Sequence, residues 1–102
     1  MQDRDILDAI ATFVCERMQL TREDLFSTRR EDIPARALFV WIARAQSRGM
    51  LTFAAIGASL GDRDHSTVSY LYHVVAPRLR ASDRAFAAIC DSFQSEEKLP
   101  CR

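Results

Sequence analysis

The residues of this 102-residue chain that can do chemistry concentrate in one stretch, Gly61-Asp62-Arg63-Asp64-His65-Ser66-Thr67-Val68. Six of these eight side chains can form hydrogen bonds. The apolar residues that follow, Val68, Leu71, Tyr72 and Val75, fall at i, i+3, i+4 and i+7, so the polar cluster opens a helix. The preceding run LTFAAIGASL reads as a second short amphipathic helix, with a tight turn at Gly61-Asp62. Helix, turn and polar-tipped helix make the layout of a helix-turn-helix, whose second helix meets base edges in the major groove. Each residue type suits that task. Asp64 is a natural N-cap. Arg63 can reach phosphate or guanine. His65, Ser66 and Thr67 occupy the first turn and can contact bases, a thymine methyl through Thr67 included.

These side chains need a body to position them. One domain is expected from the length, and 48% hydrophobic residues suffice for one small core. Ile6, Ile10, Val14 and Met18 predict a first helix over Asp5–Leu20, with Phe13 widening its apolar stripe. Thr21 caps a short second element, from which Leu25 and Phe26 pack back. Ser27 to Ile33 is a charged loop with Arg29, Arg30, Glu31 and Asp32. Pro34 opens a helix running to about Arg48, with Gly49 as its stop. Its stripe is Leu38, Trp41, Ile42 and Ala45. On a helix with 100° per residue, Arg36 and Arg44 project from the other side, able to reach phosphates along a groove edge. Phe39, Val40 and Ala43 widen the apolar surface, as core or as a protein contact. Thr52 caps the first helix of the tandem, from which Phe53, Ile56 and Leu60 face inward. Tyr70 and His73 face outward and carry no assigned role. Pro77 ends or kinks the recognition helix. Ser82-Asp83 starts a last helix with Phe86, Ile89, Cys90 and Phe93 as its stripe. The domain is expected over 1–94 and a frayed tail over 95–102.

Net charge is zero, with 14 basic and 14 acidic residues, so overall charge lends nucleic-acid binding no support. Its distribution does. The acids outweigh the bases before residue 27, whereas residues 27–80 hold eight arginines against Glu31, Asp32, Asp62 and Asp64. Basic charge is almost all arginine, whose planar fork suits phosphate and guanine. Cys15, Cys90 and Cys101 are odd in number and widely spaced, so neither a zinc site nor a disulfide framework is expected. Cys15 and Cys90 read as small core fillers, and the usage fits a reducing cytoplasm. No signal peptide or membrane span is visible. No cofactor, metal set or nucleophile–base pair is expected, which argues against an enzyme.

The string GDRDHSTV resembles the signature G-G-R-D-H-[ST]-T-V of the C-terminal DNA-binding domain of DnaA, the bacterial replication initiator. Seven of eight positions fit, and Asp62 replaces a glycine. The resemblance covers roughly residues 5–94. It implies an all-α domain, similar to the DnaA C-terminal domain and Trp-repressor-like, that binds double-stranded DNA at DnaA-box-like sites. By that resemblance, Arg63, Asp64, His65, Ser66 and Thr67 form the recognition tip, and Arg36 and Arg44 stand where the family carries basic residues. Arg29 or Arg30, with Arg30 the closer match, enters the minor groove. The family carries glutamine where Ala37 stands, so one backbone contact is expected to be missing. No GxxxxGK[ST] phosphate loop is present, which implies a regulator of initiation without its own ATPase, cytoplasmic and associated with the nucleoid. Met1 and the short tail are expected to be natural ends, with a fragment of a longer initiator as the alternative. A second reading stays open: a protein-interaction module that binds the initiator or its regulators and has lost DNA binding.

Overall fold

The computed structural model describes residues 3–93; the expected tail over 95–102, with Cys101, lies outside the described residues. Among the described residues every regular element is helical. Helix α1 (Asp3–Met18) is followed by α2 (Arg22–Leu25), a 3₁₀ turn (Arg30–Asp32) and α3 (Ile33–Gln46). Then come α4 (Phe53–Ser59), α5 (His65–Tyr70), a π-helical turn (Leu71–Val75), α6 (Ala76–Ser82) and α7 (Arg84–Ser92).

Local rules account for most of the boundaries. Helix α1 ends two residues before its expected stop because Gln19 turns into the left-handed region at φ 58°. Thr21 then forms a capping box: its hydroxyl accepts from the Asp24 N–H, and the Asp24 carboxylate accepts from the Thr21 N–H, both at 3.1 Å. Arg22 ties α2 back to α1 through Asp8 and Thr12. Thr52 caps α4 by accepting from the Ala55 N–H, and Asp83 caps α7 by accepting from the Phe86 N–H.

Helix α3 is the centre of the molecule. It packs against α1, the π turn, α6 and α7. Ala35 to Val40, Ile42 and Ala43 are all buried, whereas Ala45, expected in the core stripe, is exposed. A helix buried nearly all round is the mark of a core element, not of a two-faced surface helix. That decides one open alternative: Phe39, Val40 and Ala43 are core and offer no protein contact. Ala37 is fully buried too.

The expected Ile10 and Val14 are the fully buried centre of the α1 stripe, joined by Leu7 and Ala11, while Ile6, Phe13 and Met18 pack partly buried at its margin. Phe13 meets Phe93 edge-on, with ring centroids 5.0 Å apart. Phe86 and Cys90 bring α7 onto the core. Burial raises the thiol pKa values of Cys15 and Cys90 above the ordinary value, as for inert structural cysteines.

Pro77 does not end the recognition helix. It lacks an N–H, and its ring cannot sit against the carbonyl four residues back, which belongs to His73. The backbone widens into the π turn over Leu71–Val75 and continues through α6 to Ser82. Tyr72 within that turn stacks on Trp41 of α3 at 5.2 Å, and Arg80 of α6 covers the other Trp41 neighbour position at 5.0 Å. The later part of the second helix of the tandem, the π turn and α6, is thereby fixed to the central helix, while α5 packs on α4.

Candidate nucleic-acid interface

The helix-turn-helix is set by one close approach. Gly57 of α4 is fully helical and buried, and a Cβ there would overlap the Arg63 carbonyl oxygen and come within 3.1 Å of a Val68 methyl. Its carbonyl accepts the Arg63 N–H at 2.8 Å. Between them the chain reverses through Gly61 (φ 76°) and Asp62 (φ 59°). Asp62 thus occupies the left-handed region at the position where the resembling signature has glycine, a conformation that costs a side-chain-bearing residue up to about 1–2 kcal/mol.

Asp64 then caps α5, its carboxylate accepting the Ser66 N–H at 3.1 Å. His65 Nδ1 lies 3.6 Å from Asp64 Oδ1. His65, Ser66 and Thr67 are all exposed, and Val68 directly behind them is fully buried. The first turn therefore stands out as a polar tip on a buried base, with the Ser66 and Thr67 hydroxyls unbonded among the described residues and the imidazole beside the Asp64 carboxylate.

The arginines are arranged differently from expectation. Arg36 does not project outward: it is 4% exposed and donates to the carbonyls of Ser27 and Arg29, both at 2.8 Å. A position opposite the apolar stripe faces solvent only on a surface helix, and α3 is a central one. Arg63 is half-buried and turned back from the tip. It donates to the carbonyls of Phe26 (3.2 Å), Leu60 (2.6 Å) and Ser27. These two forks share the Ser27 carbonyl and pin the basic loop to the helix-turn-helix. Burial lowers both guanidinium pKa values, and Arg63 lowers that of Arg36 further by repulsion; both stay cationic. Arg44 likewise serves its own loop, donating to the Leu51 carbonyl at 2.8 Å and lying 4.4 Å above the Phe53 ring. Its Nε is buried without a hydrogen-bond partner.

In the basic loop, the roles of the two neighbours separate. Arg29 is engaged by Asp24 (3.3 Å), Glu31 (2.8 Å) and Asp32 (3.4 Å). The Glu31 carboxylate, held by its own backbone N–H and then by Arg29, titrates below the ordinary range. Arg30 is exposed and forms no ion pair among the described residues. Asp32 lies in the charged loop without being solvated. It is buried, accepting from Ser27 Oγ at 3.2 Å as well as from Arg29. Nothing in two adjacent acids, Glu31 and Asp32, signals which of them turns inward.

A family model described as the bacterial dnaA protein helix-turn-helix matches residues 7–75, from the first turns of α1 to the end of the π turn. The chain belongs to this family. A DnaA-family relative, the chromosomal replication initiator protein DnaA of Gloeobacter violaceus, is 38% identical over 65 residues. That alignment covers 62% of this chain and 14% of the relative, so the chain spans only a small part of that initiator's length. No solved structure matches with comparable significance. The matched residues take in the whole helix-turn-helix of the all-helical fold described above.

Proposed function

We propose that this DnaA-type domain binds double-stranded DNA at DnaA-box-like sites and regulates replication initiation. The observation that carries the reading is the Asp64-capped tip, which exposes His65, Ser66 and Thr67 on a buried Val68 base. Laid in a major groove, these three side chains read base edges, with the Thr67 methyl available to a thymine. Arg30, the unpaired cation of the loop, is the arginine for the adjacent minor groove. Arg36 and Arg63 act as positioning residues, because their forks are committed to backbone carbonyls. Arg44 shapes the α3–α4 loop at the groove edge. The domain, residues 1–94, has no catalytic role of its own and depends on no ATP. It works in the cytoplasm on nucleoid DNA, sharing boxes with the full initiator.

The test is a titration of labelled duplexes, one carrying a DnaA box and one scrambled, at two salt concentrations. Each arginine that neutralises a phosphate adds about −0.9 to the log–log salt slope, so binding is expected to weaken as salt rises. Tight, salt-sensitive binding with preference for the box supports the reading, and no binding to either duplex at low salt removes it. The alternative of a pure protein-interaction module keeps the neutral charge, Ala37 and Asp62 in its favour but not Phe39, Val40 and Ala43, which are core.

Asp62→Gly gives a prediction of opposite sign to most substitutions. It relieves a left-handed aspartate and removes a carboxylate from the turn beside the tip. Thermal unfolding is expected to show a gain of about 1 kcal/mol. Duplex affinity is expected to rise roughly fivefold at low salt, with a smaller gain at high salt as screening takes over.

A further inference from the structure

Tyr70 is one of the few large apolar side chains left in water, at 56% exposure, and its phenol makes no hydrogen bond among the described residues. It lies on α5 three residues after Thr67 and four after Ser66, so all three share one face. Side chains on a helix lean toward its N-terminus, which places the ring over the turn that carries Ser66 and Thr67. Thr67 and Tyr70 also form one wall of a concavity. Its other wall is the basic loop, with Phe26, Thr28 and Ile33, and Arg36 and Arg63 lie in its lining. Those two guanidinium groups bond only to carbonyl oxygens, so no carboxylate pairs with either of them directly.

This arrangement has a consequence for bound DNA, and it rests on the function proposed above. A helix in the major groove and a loop arginine in the neighbouring minor groove have one sugar–phosphate strand between them. The concavity is the space between those two elements, and its lining is cationic while the strand is anionic. We propose that the concavity seats that strand and that Tyr70 is a backbone-contact residue, its hydroxyl donating to a phosphate and its ring lying against deoxyribose. Asp62 also lines the concavity, which places an unfavourable charge next to the same strand.

The test compares wild type, Tyr70→Phe and Tyr70→Ala on a box duplex and a scrambled duplex of equal composition, with folding checked by thermal melts. A hydrogen bond to a charged oxygen predicts about tenfold weaker binding for Tyr70→Phe, by the same factor on both duplexes. Because the phenol is neutral, the salt slope stays as in wild type, unlike the loss of an arginine contact. Tyr70→Ala is expected to lose more, by removal of the ring as well. Wild-type affinity in both variants overturns the proposal while leaving the DNA-binding reading intact. Loss on the box duplex alone overturns it as well, because Tyr70 then reads a base. If the wild-type protein binds neither duplex, the proposal and the reading it rests on fall together.

Discussion

Gly57→Ala is expected to destabilise the domain by about 2–3 kcal/mol and to abolish preference for box DNA, although alanine is the better helix former at an isolated helical position. The intrinsic gain for replacing a helical glycine by alanine is about 1 kcal/mol, so the sign of the result separates packing from propensity. Packing wins here because the new Cβ meets a backbone carbonyl, that of Arg63, and not the end of a flexible side chain. Relief requires the turn over Gly61–Asp64 to move away from α4. The Arg63 N–H to Gly57 carbonyl bond goes with it, and so does the angle at which α5 presents its tip. Denaturant unfolding measures the first effect and duplex titration the second. A variant as stable as wild type and equally selective would show that the close approach is dispensable.

Arg63→Met should have the next largest consequence. The change keeps much of the stem and removes the fork that serves the carbonyls of Phe26, Leu60 and Ser27. Each acceptor left without a partner costs about 1–3 kcal/mol if buried, and these are part-buried, so a loss of about 2 kcal/mol is expected. Duplex affinity is expected to fall at least about thirtyfold, since the loop carrying Arg30 is no longer held beside the helix tip. Arg63→Lys distinguishes the mechanism. A lysine keeps the charge but cannot bond three carbonyls as a planar fork does. A positioning role predicts that lysine is nearly as damaging as methionine. A simple charge contact with phosphate predicts near-complete rescue.

The sequence was most legible where rules are local. The Thr21, Thr52 and Asp64 caps depend on a side chain and a backbone group two or three residues apart, and each forms as expected; at the Ser82-Asp83 start of the last helix it is Asp83 that caps. The tandem itself was legible for the same reason, since its turn and tip lie within one short stretch. The arginines of α3 were not. Their direction depends on how many neighbours surround that helix, which periodicity cannot report when a chain is apolar on one face and arginine-bearing on another. Arg36 is buried because its fork finds two carbonyls of a loop seven and nine residues away, a non-local partnership. The π turn was equally hidden: Pro77 signals an interruption, but only packing of Tyr72 on Trp41 decides that the helix widens instead of stopping. Tyr70 was visible as an outward residue, and its place opposite the basic loop follows only from the fold.

The central claim is that an exposed polar helix tip reads DNA sequence while the arginines behind it set its position. The most direct measurement is the affinity of a His65→Ala/Thr67→Ala double variant for box and scrambled duplexes under one salt condition. Both side chains are exposed, so the thermal melt is expected to match wild type. Lost base contacts of about 1–3 kcal/mol each predict at least about a tenfold fall in affinity for the box, with scrambled-duplex binding nearly unchanged. A folded double variant that still prefers the box to the wild-type extent contradicts the account.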